Sequence, residues 1–218
     1  MEPEPVTLTT PRLVLRPLDP QDADAVYTAA QDPDIQRWTT IPSPYLPEHA
    51  RSFTELLAPE GWASGSMFTF GVFLPDGALT GVLSLTMRSP GTAEVGFWAA
   101  KEHRGHGYTT EATLTAARWA FTTLPVDRVE WRAEIGNTAS RAVAENAGFT
   151  LEGTLRSAIA NKGVRRDCWL ASLLPSDLGL PSTAPYVPEP SSPSSPSSPS
   201  GASEASEASG GTAGPSDV

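Results

Sequence analysis

The chain has 218 residues, and its 25 acidic and 15 basic side chains give a formal net charge of −10. This charge argues against nucleic acid as the main partner, because phosphate binding needs clustered lysines and arginines, and it favours an amine-bearing or cationic partner. One cysteine, a start unlike a signal peptide and no apolar run near ~20 residues predict a cytoplasmic protein without a disulfide or a membrane partner.

Residues 181–218 differ in composition from the rest of the chain. They contain 12 Ser, 8 Pro and 4 Gly but no Lys or Arg, and their centre has the sequence SSPSSPSSPS. Such a segment offers too few apolar side chains to offset the chain entropy lost on folding. We therefore predict one compact domain over residues 1–180 and a disordered, acidic tail over residues 181–218.

The first half of the domain predicts a strand, two helices and a strand meander. Leu13 and Leu15, two positions apart, indicate a half-buried first strand. A proline after Asp19 marks a helix start, and apolar residues at helical spacing predict a second helix over Pro47–Leu57, with both leucines of its last turn on the inner side. Three strands follow, the first two joined by a Pro-Asp-Gly turn: Phe68–Leu74, Leu79–Met87 and Ala93–Ala100.

The second half begins with a helix over Gly107–Thr123, in which alanines and aromatic residues recur at helical spacing. A strand, a short helix and two more strands follow: Val126–Glu134, Thr138–Asn146, Phe149–Leu155 and Arg166–Leu173. This order predicts an α/β (α+β) layer arrangement around a mixed sheet.

A glycine-rich turn between a strand and a helix is the most informative segment. Gly105 and Gly107 let the backbone bend and expose successive N–H groups, and the next helix adds unsatisfied N–H donors at its first turn. Together they form an anion site suited to a phosphate or pyrophosphate, which Arg104 and His106 could reinforce. Taken alone, a tight turn without a ligand is the alternative. No cysteine or carboxylate completes a metal set with His103 and His106, so we expect no metal.

The turn and four further segments resemble the GNAT acetyltransferase superfamily, and within it the RimJ/RimL-like branch. The turn, Arg104-Gly105-His106-Gly107-Tyr108-Thr109, is similar to the (Gln/Arg)-x-x-Gly-x-(Gly/Ala) turn that binds the acetyl-CoA pyrophosphate in the family, with Thr109 departing from the usual Gly or Ala. The other segments occur in family order within residues 7–173: Thr10-Pro11-Arg12-Leu13-Val14-Leu15-Arg16, Glu94-Val95-Gly96-Phe97-Trp98, Asn137-Thr138-Ala139-Ser140 and Glu145-Asn146-Ala147-Gly148-Phe149.

The resemblance implies the GNAT fold, with a mixed, mostly antiparallel sheet of about seven strands flanked by helices, in which the fourth and fifth strands splay apart. It implies that the protein transfers the acetyl group of acetyl-CoA to a primary amine by direct attack, without a metal. We expect a monomer or homodimer. The residues that it places at the cofactor are Phe97, Trp98, Ala99, Arg104, Gly105, His106, Gly107, Tyr108, Thr109 and Asn137.

Two residues are candidates for proton transfer. Glu94 lies on the fourth strand, where several superfamily members place a general base, and the alternative is an ordinary strand carboxylate paired with an arginine. Ser140 resembles the residue that this branch places near the CoA sulfur, and the alternative is a polar residue of the helix cap. The tyrosine that many members use as the acid is replaced by Ala144, which favours Ser140 or a solvent proton.

The acceptor is the least determined part. Relatives of this branch acetylate the N-terminal amines of ribosomal proteins, so the expected acceptor is a protein or peptide N-terminus. A small-molecule amine or antibiotic is the alternative, and so is a non-catalytic acetyl-CoA-binding sensor. Residues 32–66 are expected to shape the specificity, and Trp38 resembles a residue that lines the acceptor cleft, although simple packing would also explain it.

Overall fold

The computed structural model describes residues 4–188. The β-strands within this range are β1 Leu8–Thr9, β2 Val14–Arg16, β3 Met67–Phe73, β4 Leu79–Ser89, β5 Gly91–Ala99, β6 Val126–Glu134, β7 Thr150–Asn161 and β8 Val164–Leu173. The α-helices are α1 Ala23–Ala29, α2 Pro33–Trp38, α3 Pro47–Ser52, α4 Ala58–Ser64, α5 Tyr108–Thr123 and α6 Thr138–Asn146. Most of the predicted tail lies outside the described residues.

The strands form one sheet in the order β1-β2-β3-β4-β5-β6-β8-β7, and β5 and β6 are its one parallel pair among the described residues. The predicted mixed, mostly antiparallel architecture is confirmed. The sheet has eight strands instead of about seven because a two-residue strand, β1, pairs with β2 at its edge. The strands predicted as fourth and fifth are therefore β5 and β6.

The parallel pair comes apart part-way along its length. Its last register pair is Val95 with Trp131. Beyond that point β5 stays paired with β4 as far as Ala99, and β6 stays paired with β8 as far as Glu134. The two halves of the sheet thus diverge after Val95, as the predicted splay requires.

Helices cover both faces of the sheet. One face packs against α5 and α6 in the main core, which includes Trp119, Val129 and Trp131. The opposite face packs against α1 and α3 through a smaller cluster that includes Val26 and Ala50. Neighbouring residues of β5 point to opposite faces, so its side chains contribute to both clusters.

The helix that was predicted over Pro47–Leu57 is longer in the structure. It continues to Ser64, because a π-helical turn, Phe53–Leu57, joins α3 to α4. A π turn holds an extra residue and rotates the side chains that follow. Burial therefore falls on Thr54 and Ala58, while Leu56 and Leu57 are each 50% exposed, contrary to the expected inner position.

Candidate active site

The divergence of β5 and β6 opens a fork in the middle of the sheet. From Gly96 to Ala99, the edge of β5 that faces β6 has no strand partner, so its backbone polar groups are available to a ligand. Gly96 is exposed although it lies on an inner strand, and a Cβ placed there would meet no atom within 4 Å. Phe97 packs towards the main core and Trp98 towards the smaller cluster.

The predicted glycine turn lies between β5 and α5. Gly105 and Gly107 have φ angles of +80° and +76°, a region that strongly favours glycine, and both residues are exposed. Gly107 is the N-cap of the 16-residue helix α5, and no side chain caps that helix. The backbone N–H groups of Tyr108 and Thr109 therefore lack intrahelical acceptors at the positive end of the helix dipole. This geometry suits an anion.

Arg12, which the sequence prediction assigned to no site, supports this turn from the N-terminal segment. Its Nη1 donates to the carbonyl oxygen of His106 at 3.0 Å, and its Nε donates to Glu111 of α5 at 2.7 Å. Its guanidinium also lies over the Tyr108 ring, 5.1 Å from the centroid, and the His106 ring stacks on the same tyrosine. The arginine was visible in the opening motif, but its partners lie about a hundred positions away.

The side chain of Arg104 is paired with two carboxylates, so it is not free to bind a phosphate. Its guanidinium lies 3.1 Å from Asp32 and 3.3 Å from Asp34, and its Nε donates to the carbonyl oxygen of Ala99. Burial disfavours the charged form of Asp32, but hydrogen bonds from Arg104 and from two backbone N–H groups outweigh it and lower the pKa of this carboxyl. Arg104 therefore fixes the loop after β5 to the start of α2.

The other end of α2 is fixed to β6. Arg37 donates two hydrogen bonds to the buried Glu134, at 3.0 and 2.6 Å. These hydrogen bonds are the main cause of the lowered pKa of Glu134.

Two further contacts hold the end of α2. Trp38 lies against Gly136, where a Cβ would be 3.6 Å from the indole ring. Lys162, in the turn between β7 and β8, donates to the carbonyl oxygens of Gln36 and Thr39. Helix α2 thus bridges the two diverging strands.

Asn137 and Ser140 lie at the start of α6, directly after β6. The Asn137 Oδ1 accepts from the Ser140 backbone N–H at 3.2 Å as a helix cap, which leaves its amide NH2 group for a ligand. The Ser140 hydroxyl accepts from the indole N–H of Trp131 at 3.0 Å, so it keeps its own proton to donate. Trp131 belongs to the last β5–β6 register pair. Its indole therefore holds Ser140 near the fork.

Glu94 lies on the same face of β5 as Gly96 and Trp98, one register pair before the fork. Its Oε2 accepts from Arg88 Nε at 3.1 Å and lies 3.7 Å from Arg132 Nε, and the side chain is 21% exposed. Arg132 also contacts Glu130, the register partner of Glu94 on β6. This carboxylate is accessible, and it also belongs to a row of ion pairs.

The fork and the turn bring most of the predicted site residues together. Glu94, Phe97, Trp98 and Ala99 lie on one arm of the fork. Asn137 and Ser140 lie beyond the other arm, with Trp38 against its end. Within residues 4–188, no group of three or more His, Cys, Asp or Glu side chains could hold a metal ion, and no helix is long and apolar enough to cross a membrane. The prediction missed Arg12, Asp32, Gly96 and Trp131.

A model of the acetyltransferase (GNAT) domain matches residues 12–150, which is more than half of the chain. The chain belongs to this family. Two relatives match about three quarters of this chain and more than nine tenths of their own length. The "Putative ribosomal N-acetyltransferase YdaF" of Bacillus subtilis is 32% identical over 169 residues, covering 74% of this chain and 91% of the relative. The "Uncharacterized N-acetyltransferase p20" of Bacillus licheniformis is 30% identical, covering 77% and 96%.

Solved structures of GNAT proteins share the fold. The structure of Mycobacterium smegmatis RimJ in complex with CoA-disulfide superposes with a TM-score of 0.71 at 25% identity, covering 80% of this chain and 88% of that one. The predicted membership of the superfamily and of its RimJ/RimL-like branch is confirmed, and so is the prediction of an acyltransferase enzyme.

Proposed function

We propose that this GNAT protein transfers the acetyl group of acetyl-CoA to the N-terminal amine of a protein or peptide. The observation that carries the proposal is the fork after Val95, which lies between an uncapped helix start and a buried tryptophan that holds Ser140. The name of YdaF supports a ribosomal type of acceptor.

The residues present fit acetyl-CoA. Backbone N–H groups of residues 105–109 would bind the pyrophosphate, and the side chain of Arg12 holds their loop in place. The open edge of β5 would pair with the pantetheine arm, and the free amide NH2 of Asn137 would donate to a pantetheine carbonyl. Two reactants held side by side in the fork gain a large advantage, since effective molarities can reach about 10⁵ M or more.

The transfer forms a C–N bond and breaks the C–S bond of the thioester. The amine loses a proton to Glu94, directly or through a water molecule, before or as it attacks the carbonyl carbon. A backbone N–H of residues 97–99 faces the negative charge that develops on the carbonyl oxygen. The Ser140 hydroxyl then gives its proton to the departing thiolate, and solvent restores it.

The first experiment measures thiol release from acetyl-CoA with a panel of amines. The panel pairs short peptides with free N-termini against polyamines, amino acids and aminoglycosides. We expect release with peptides. Release with small amines alone would transfer the protein to the metabolite or antibiotic class, and acetyl-CoA binding without any release would support the sensor alternative.

The phosphate assignment has a matched pair of variants. Gly107→Asp introduces a carboxylate where the pyrophosphate is expected, so acetyl-CoA binding should be lost. Gly179→Asp is the control, because Gly179 also has a positive φ, +68°, and has open space at its Cβ position. Isothermal titration with acetyl-CoA measures both. An unchanged Kd in Gly107→Asp would remove the assignment of the turn.

A further inference from the structure

A cavity of about 280 Å³ lies between α1, the loop after α2, the π turn and β5. Its lining includes Val26, Ile41, Tyr45, Phe53, Leu57 and Trp98. No Asp, Glu, Lys or Arg lines it, and the polar side chains at its wall are the hydroxyls and His49, whose Nδ1 accepts from the Leu46 backbone N–H. A buried charge without a partner is costly, so the cavity excludes charged groups.

The cavity and the open space at Gly96 lie on the same face of the sheet. Trp98, which lines the cavity, is two residues from Gly96 on the same face of β5, a distance of about 7 Å along a strand. The missing side chain of Gly96 leaves open space on that face. A group whose amine lies over Gly96 can therefore extend its own side chain into the cavity.

The roof of this path is the π turn. Phe53 and Leu57 line the cavity and also a second, open cavity of about 450 Å³ that includes Thr86, the register partner of Glu94. The first cavity thus lies beside Trp98 of β5, and the second lies beside Thr86 of β4, the neighbour of Glu94. Leu57 is 50% exposed there, and π turns are frequent at functional sites. Covering its apolar surface would be favourable.

We propose that this cavity binds the side chain of the acceptor's first residue, and that the acceptor is a peptide N-terminus beginning with a bulky apolar residue such as Leu, Met or Phe. The inference rests on the proposed function, since it places the reacting amine at the fork. Because no carboxylate lines the cavity, the lining argues against a second ammonium group at this position. The ammonium of the N-terminus itself faces Glu94, at the polar end of the path.

The test uses peptides that differ only at the first residue, and the measured quantity is kcat/KM. Peptides that begin with Leu, Met or Phe should exceed those that begin with Ser, Ala or Lys by tenfold or more, since each methylene group in an apolar pocket is worth about tenfold or more. Equal or higher kcat/KM for Ser and Ala would overturn the inference and leave the proposed function standing. Turnover of phenylethylamine but of no peptide would overturn it too. No turnover of any amine would remove both.

A matched pair of variants locates the effect. Leu57→Lys puts a charge at the cavity wall and should lower kcat/KM for the Leu peptide by about tenfold, with the Ala peptide unchanged. Leu56→Lys is the control, because Leu56 is equally exposed but lines neither cavity. Titration of the Leu peptide without acetyl-CoA gives a second readout. Equal effects of the two variants would place the apolar subsite elsewhere, and the wild-type panel decides even if a variant fails to fold.

Discussion

The hydroxyl oxygen of Ser140 accepts one hydrogen bond, and its own O–H group remains available to donate another. The Trp131 indole N–H occupies one of its lone pairs, and Trp131 is 2% exposed, so this contact is shielded from water. A general acid needs such fixed geometry, and removing one costs about 10² to 10⁴ in rate. Orientation by a buried tryptophan is therefore a reason to assign Ser140 to proton transfer and not only to the helix cap.

Ser140→Ala should lower kcat by about 10²-fold, because the departing thiolate loses its proton donor, while the Kd for acetyl-CoA stays within about twofold. Trp131→Phe keeps an aromatic side chain but removes the indole N–H donor, so kcat should fall by a smaller factor. Steady-state kinetics and titration separate the two quantities. Thr138→Ala, exposed in the same helix turn, serves as the control. If only the affinity falls in Ser140→Ala, the serine is a binding residue.

Arg12 acts through the loop that it holds. Arg12→Gln loses the ion pair with Glu111 and the support of the His106 carbonyl, so the turn that would bind the pyrophosphate becomes less ordered. The Kd for acetyl-CoA should rise about tenfold, equivalent to about 1.4 kcal/mol, with a smaller change in kcat. Arg118→Gln, which alters an exposed arginine farther along α5, should leave the Kd unchanged. An equal Kd in both variants would contradict the role of Arg12.

Among the elements, α2 connects the two sides of the fork. Its two ends are bound to different halves of the sheet, through Asp32 with Arg104 and through Arg37 with Glu134. Only five register pairs join β5 to β6, so these contacts add a second connection across the opening. The helix also carries Trp38 to the end of β6, and therefore connects the loop that holds the glycine turn to that end of β6.

Asp32→Asn tests this coupling without destroying the helix cap. Asn accepts the capping hydrogen bonds of Asp34 and Ile35 as well as Asp does, but it cannot form an ion pair with Arg104. We expect KM for both substrates to rise. A double-mutant cycle with Arg104→Gln should give a coupling of about 1 kcal/mol, because Arg104 is partly exposed.

Since the pKa of Asp32 is lowered, the pair persists at neutral pH and is lost as the pH falls through that lowered value. Additive effects would refute the bridge.

Some helices and strands could be predicted from the sequence, and others could not. The boundaries Val126–Glu134 and Thr138–Asn146 were predicted as they stand, since alternation and an Asn cap are local signals. The six-residue α2 was not predicted, because it is too short for a helical period. The π turn shifted the burial of its neighbours in a way that a regular period cannot represent. Contacts such as Arg12 with Glu111 or Asp32 with Arg104 join residues that are far apart in the sequence. The spacing of residues along the chain therefore could not predict them.

At the scale of the whole molecule, both ends of the domain are attached to its central elements. Near the N-terminus, Thr10 and Arg12 bind Glu111 at the start of α5. Near the other end, the segment 182–184 binds Asp127 at the start of β6 through two hydroxyls and two backbone N–H groups. The contacts of the domain thus continue past Leu180, the predicted boundary.

The C-terminal contact predicts a difference between two shortened chains. A chain ending at Leu180 loses all the bonds to Asp127, whereas one ending at Pro188 keeps them. These bonds are exposed, so we expect a net loss of about 1 kcal/mol and a Tm lower by about 2–4 °C, with equal turnover. Calorimetry at pH 7 measures the difference. Equal Tm values there would mean that the segment 182–184 contributes nothing to the free energy of unfolding.

The difference in Tm between the two shortened chains should also become smaller at low pH. Hydrogen bonds from the Thr183 and Ser182 hydroxyls lower the pKa of Asp127, so the unfolded chain takes up its proton first as the pH falls. The contribution is therefore complete above the unfolded pKa of about 3.9 and disappears as the pH falls through the lower folded value. The Tm gap between the two chains should narrow as the pH falls below the unfolded pKa of Asp127, and Asp127→Ala should abolish it at pH 7. A gap that persists in Asp127→Ala would assign the stabilisation to other contacts of the segment.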